Sequence, residues 1–198
     1  MAEPSYSIDQ DLREAEAMAD ALDPYIYQDE IYGRASGGSV MGGQTPALTI
    51  GALLLRLRRL HALADTMSPT QRALLGKVEA RHNAIRDEWS VHYQQKLVKE
   101  GESRLKGMDA FFKECLDEPR TCYSGYPPEA MRRTIIQEID TTLDAMNASS
   151  AELDRQIKRA DSKLQGVIKP SEFIWAKALE SVYPRDTYWW LYSRPSKT

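Results

Sequence analysis

Three histidines, His61, His82 and His92, are all the imidazoles this chain has, and each falls on or beside an apolar helical stripe. That placement invites a metal. Glu79-Ala-Arg-His82 has the Glu-x-x-His spacing with which di-iron bundles present a carboxylate and an imidazole from one helix face. Glu88 follows within reach, so Glu79, His82 and Glu88 are the candidate ligands for a metal-binding bundle. Axial distance weighs against a centre shared by the histidines. Measured from a turn at Ser68, His61 lies about 10 Å along its helix, His82 about 21 Å and His92 about 36 Å. The di-iron pattern also needs a second Glu-x-x-His, and the sequence has none. Ligand count decides such sites, so no metal and no cofactor are expected.

Other chemistry-bearing patterns are thinner. Gly38 to Thr45 (GSVMGGQT) comes within one residue of a phosphate loop, but it lacks the lysine that meets the β- and γ-phosphates and the strand that precedes it. Cys115 and Cys122 form a single CX6C pair. That is too few ligands for zinc, and without an export signal the two are expected as free thiols. Asp87-Glu88 and Asp117-Glu118 are ordinary surface carboxylates. No serine or cysteine sits in a strained turn beside a base, so nothing points to acyl transfer.

Charge is divided unevenly. Residues 46–106 hold a basic excess, including Arg56, Arg58, Arg59, Arg81 and Arg86, whereas residues 9–23 carry six acids against Arg13 alone. The arginines could meet nucleic-acid phosphates. The near cancellation favours a simpler pairing, in which the basic surface receives the chain's own acidic N-terminal helix. A net charge of −3 and the absence of a basic-aromatic module argue further against nucleic acid.

The elements that must position these residues are helical. Ser7-Ile-Asp-Gln10, Ser68-Pro-Thr-Gln71 and Ser149-Ser-Ala-Glu152 read as capping boxes, the second with proline at the first helical position. Helices are expected near 7–23, 47–67, 69–116, 129–147 and 150–166, with Asp23-Pro24 closing the first. The stripe on the third rotates after about residue 97, by roughly 100° on a helical wheel, so this long spine helix is expected to bend near Gly101 or to run on unbroken. EPRTCYSGYPP (118–128) reads as a loop. Residues 28–46, with five glycines, read as a flexible linker.

PALTIGALLLRLRRLHALADTM (46–67) is the greasiest stretch. Its apolar run is far short of the ~20 residues that span a bilayer. Ile50, Leu53, Leu57 and Leu60 share one face, yet Leu48, Leu55 and Leu63 lie on the back among the arginines. Either this helix is central or its back meets another chain. Residues 170–198 hold three of the four tryptophans and are expected to fold over the bundle end as an aromatic clasp. Trp189 and Trp190, pointing opposite ways, are both candidates for a contact surface.

The expectation is therefore a single all-α domain, 1–198: an elongated bundle of about five helices with one long spine helix and an aromatic C-terminal segment, soluble and cytoplasmic. Ordinary composition and the lack of an N-terminal apolar leader support that placement. The leading function is a non-enzymatic interaction or scaffold protein that self-associates or holds a protein partner through Leu48, Leu55, Leu63, Trp189 and Trp190. A ligand- or metal-binding bundle is the alternative, and nucleic-acid binding through the arginines the second. No membrane contact is expected.

Overall fold

A computed structural model describes residues 5–35 and 47–196. It is all-α: six α-helices carry the chain, with two short β-ribbons and three 3₁₀ turns. The chain divides into two compact units, Ser7–Glu100 and Gly101–Thr198 with Met1–Tyr6.

In the first unit, α1 (Ile8–Ile26) packs on α2 (Ile50–Ala62) and α3 (Pro69–Glu88). Ser7 caps α1 by accepting from the Gln10 amide, and Ser68 makes a complete capping box with Gln71 on α3. The acidic α1 lies on the basic helices as charge balance suggests. Arg56 pairs with Glu14 and Asp11, Arg59 with Asp11, Lys77 with Glu16 and Arg81 with Asp20. α1 does not stop at Asp23 but continues through Pro24. Proline cannot donate to the carbonyl four residues back, and that carbonyl, on Asp20, accepts from Arg81 Nη2 at 3.2 Å. A side chain from α3 thus replaces the missing helical amide.

Strand β1 (Gly33–Arg34) pairs antiparallel with β2 (Ala47–Leu48) just ahead of α2. A Cβ at Gly33 would lie 2.9 Å from the Tyr25 ring, so the position requires glycine. Residues 36–46, which include most of the expected linker and all of the phosphate-loop candidate, lie outside the described residues. α2 is central to its unit. Leu48 and Leu55 on its back are 1% and 2% exposed, Leu53 and Leu60 on its front are fully buried, and Leu63 is half-buried. Among the described residues no helix is long and apolar enough to cross a membrane.

The spine is interrupted at Trp89 rather than near Gly101. α3 ends at Glu88, α4 runs Ser90–Asp117, and Trp89 has ψ 36°, far from the helical value near −42°. One residue out of the helical range resets the phase between the two stripes. The i→i−4 bonds from the amides of Trp89 and Tyr93 still form, to Ile85 and Trp89 respectively.

In the second unit, the later part of α4 packs with α5 (Pro119–Ala145) and α6 (Ala151–Val167). A Cβ at Gly107 would sit 2.9 Å from the Arg132 guanidinium, and one at Gly101 would meet Leu153 and Ile139. The stretch 118–128 is not a loop but the opening of α5. Pro119 occupies its first turn, and Pro127 and Pro128 lie inside it. Nor are the cysteines free: Cys115 at the end of α4 and Cys122 at the start of α5 are joined by a disulfide, with Cα atoms 4.8 Å apart. Reading 118–128 as a loop hid the closeness of the two positions. Ser150, not Ser149, caps α6, accepting from the Leu153 amide.

Residues 168–196 fold against α5. Strand β3 (Ile168–Pro170) pairs antiparallel with β4 (Ser193–Pro195). Between them run edge-on aromatic contacts, Trp175–Tyr183, Tyr183–Tyr188 and Tyr188–Trp190, at centroid distances of 5.1, 5.0 and 5.5 Å. Polar ends of these rings find partners on α5. Trp190 Nε1 donates to Thr134 Oγ1 (2.9 Å), the Tyr188 hydroxyl to Glu138 Oε1 (2.8 Å), and the Tyr126 hydroxyl to the Trp190 carbonyl (2.6 Å). The Arg133 guanidinium lies 4.1 Å from the Trp190 ring and pairs with Asp161 of α6. Trp190 is fully buried and Trp189 half-buried, the opposed orientation expected of neighbours.

Candidate functional site

The residues considered for a metal do not come together. His82, on the inner face of α3, contacts Tyr93 of α4 through Nε2 (2.8 Å to the hydroxyl) and Asn83 Oδ1 through Nδ1 (3.3 Å). Burial pushes this imidazole down to about 4, and burial also raises the Tyr93 phenol. A neutral ring donating to Asn83 and accepting from Tyr93 satisfies both nitrogens. Glu79 instead meets His61, Oε1 to Nδ1 at 3.2 Å, and Glu88 is exposed. Among the described residues no group of three or more His, Cys, Asp or Glu is gathered as a metal would require. His92, exposed, rests against Trp89 and Tyr27.

Two further buried ions lie on α4 beside Tyr93. Lys96 sits over the Tyr25 ring, 3.8 Å from its centroid, and donates to the Glu30 carbonyl at 2.8 Å; burial lowers its pKa. Glu100, 1% exposed, accepts from the Gly51 amide at 2.9 Å. A carboxylate at that point meets the positive N-terminal end of α2. These groups hold the first unit together; each is enclosed by protein and bonded to it.

The arginines proposed for nucleic acid are likewise engaged. Arg56, Arg59 and Arg81 pair with acids of α1, Arg86 pairs with Asp87, and Arg58 is half-buried. On Glu14 the balance is visible. Burial would raise its carboxyl, but hydrogen bonds from Gln10 and Arg56 and the charges of Arg56 and Arg59 outweigh that and lower it.

The open feature of the molecule is elsewhere. In the second unit a recess of about 320 Å³ lies between α4 and α6, lined by Asp109, Phe112, Lys113, Leu116, Lys163 and Val167. The α4 liners follow at i, i+3, i+4 and i+7, one face of a helix, and the α6 pair at i and i+4. Phe112, Leu116 and Val167 make the wall apolar. Leu116 is 78% exposed, an unusual state for a large aliphatic side chain, while Phe112 is 5% exposed. Lys163 binds Asp109 (2.6 Å) and stands 5.9 Å from the Phe112 ring. Lys113 is exposed and has no ion-pair partner among the described residues. Next to Leu116, the buried Cys115 ties this end of α4 to α5.

No protein-family model, curated protein or solved structure matches this chain.

The sequence did not single out the recess. Leu105, Met108, Phe112 and Cys115 mark the buried stripe of α4, and Leu116 falls about 100° off Cys115, an apolar residue stranded among charges. That was the available signal. Pairing it with Val167 and Lys163 needs the packing of two helices distant in sequence.

Proposed function

We propose that this chain is a non-enzymatic helical interaction protein, which holds a partner at the recess between α4 and α6. One observation carries the reading: an apolar wall, capped by a largely exposed leucine and edged by lysines, with no acid–base pair positioned to work on what enters. Burial of large apolar groups is the main source of binding energy in such contacts, and Leu116 is available for it. The side chains with chemistry to offer, His82 and Tyr93, are sealed in the other unit and satisfied there.

Photo-crosslinking in the cells that make the protein tests this. A benzophenone-bearing residue is placed at position 116, with position 91 as control because Val91 is also exposed, at 60%. Intact-mass spectrometry then reads any adduct, whether a second copy, another protein or a smaller molecule. The expected result is a discrete adduct from 116 that is absent from 91. No adduct from 116, together with a monomeric mass by light scattering, would overturn the proposal.

A further inference from the structure

We infer that the occupant of the recess is a free, single-chain anionic amphiphile such as an alkyl carboxylate, its chain lying on Phe112, Leu116 and Val167 and its head meeting Lys113. The inference rests on the reading above, that the chain binds a partner at this recess, and names that partner's chemistry. Size comes first. From Asp109 to Leu116 the α4 wall is about 10 Å long, and the recess holds about 320 Å³. That is the low end of small-molecule sites and far below the ~1,000 Å² a specific protein interface needs. One alkyl chain fits such a slot; a docked protein surface would use it for a single side chain at most.

Charge decides the head group. Asp109 neutralises Lys163 at 2.6 Å, which leaves Lys113 as the uncompensated cation at the rim. Arg159, one turn before Lys163 on α6, and Lys106, two turns before Lys113 on α4, are both exposed and continue the positive sign along each helix. Lysine stems add apolar length to the wall while their ammonium ends stay in water, which is the arrangement that grips a chain and its anion together. A cationic head would be repelled, and a neutral one would gain nothing from Lys113.

The test uses the full chain and three probes of equal length, decanoate, decanol and decyltrimethylammonium, each titrated below its micelle concentration. Amide NMR signals of Phe112, Leu116 and Val167 are followed, with those of Leu55 as an internal control. Decanoate is expected to shift the recess signals and to bind about tenfold more tightly than the cation. Lys113→Glu should abolish that preference, and Leu116→Gln should weaken all three probes. Both positions are exposed, so neither change disturbs the core. Equal binding of decanoate and the cation, or a preference unmoved by Lys113→Glu, overturns the anion assignment while leaving an apolar site. Absence of any recess shift with all three probes removes the site itself. Co-sedimentation with phosphatidylglycerol vesicles that is lost in Leu116→Gln would replace the free amphiphile by a lipid surface and so overturn the inference as stated.

Discussion

Protonation of His82 should cost the first unit much of its stability. Its imidazole is 4% exposed, and its pKa falls from 6.5 to about 4 because burial disfavours the charged ring. In the unfolded chain the same ring titrates near 6.5. Between these two values the unfolded state therefore holds the extra proton, and stability falls as pH falls. Above 6.5 neither state is charged and the stabilising contribution is complete; below about 4 both are charged and no further loss follows. At about 1.4 kcal/mol per pH unit the whole interval amounts to about 3 kcal/mol. Urea denaturation at pH 7, 6, 5 and 4, followed by circular dichroism, is compared between wild type and His82→Gln. Carboxylates common to both chains cancel in the difference. Wild type should start more stable at pH 7, since the ring fills its site and meets Tyr93, and that advantage should shrink by about 3 kcal/mol on the way to pH 4. A difference between the two chains that stays constant across this range would refute a buried neutral imidazole.

Trp190→Phe keeps a ring in the core of the second unit but leaves Thr134 Oγ1 without its indole donor; a loss of about 1–3 kcal/mol is expected, and Trp190→Ala should lose about 3–5, both by urea denaturation. Opening the Cys115–Cys122 bridge, by reduction or as Cys115→Ser with Cys122→Ser, should destabilise by about 2 kcal/mol, since the closed loop is short. Amide exchange should then quicken in the last turn of α4 and the first turns of α5 before anywhere else in that unit; unchanged protection there would deny the bridge a local role.

Local patterns foretold those elements whose causes are local. The Ser68–Gln71 capping box stands as read, because cap and partner are three residues apart. Leu75, Val78, His82, Ile85 and Tyr93 are buried, because a single helical face sets them. Charge counts alone suggested that α1 lies on the basic helices. Where a distant group intervened, the reading went astray. Asp23-Pro24 is a sound stop signal, yet Arg81 fills the vacant hydrogen bond from another helix. The prolines of 118–128 announce a loop, yet that stretch is helix, tied by the disulfide and by the Tyr126 hydroxyl on the Trp190 carbonyl. Met131, expected inward, is 42% exposed, and the stripe of α5 is carried by Ile135, Ile139 and Leu143. The recess was out of reach for the same reason, since Leu116 and Val167 meet only through the packing of α4 with α6.

The aromatic clasp sets an order of events during synthesis. Thr134, Glu138 and Tyr126 are in place on α5 long before Tyr188 and Trp190, which complete their hydrogen bonds 50 to 64 residues later. A nascent chain paused at codon 180 would carry an unfinished core, with polar groups turned towards a space nothing yet fills. This unit must therefore close late, from a nearly full-length polypeptide, while Ser7–Glu100 already has every residue it needs. Ribosome-arrested chains cut at 180 and at 196 should differ in protease resistance over 101–167 and agree over 7–100.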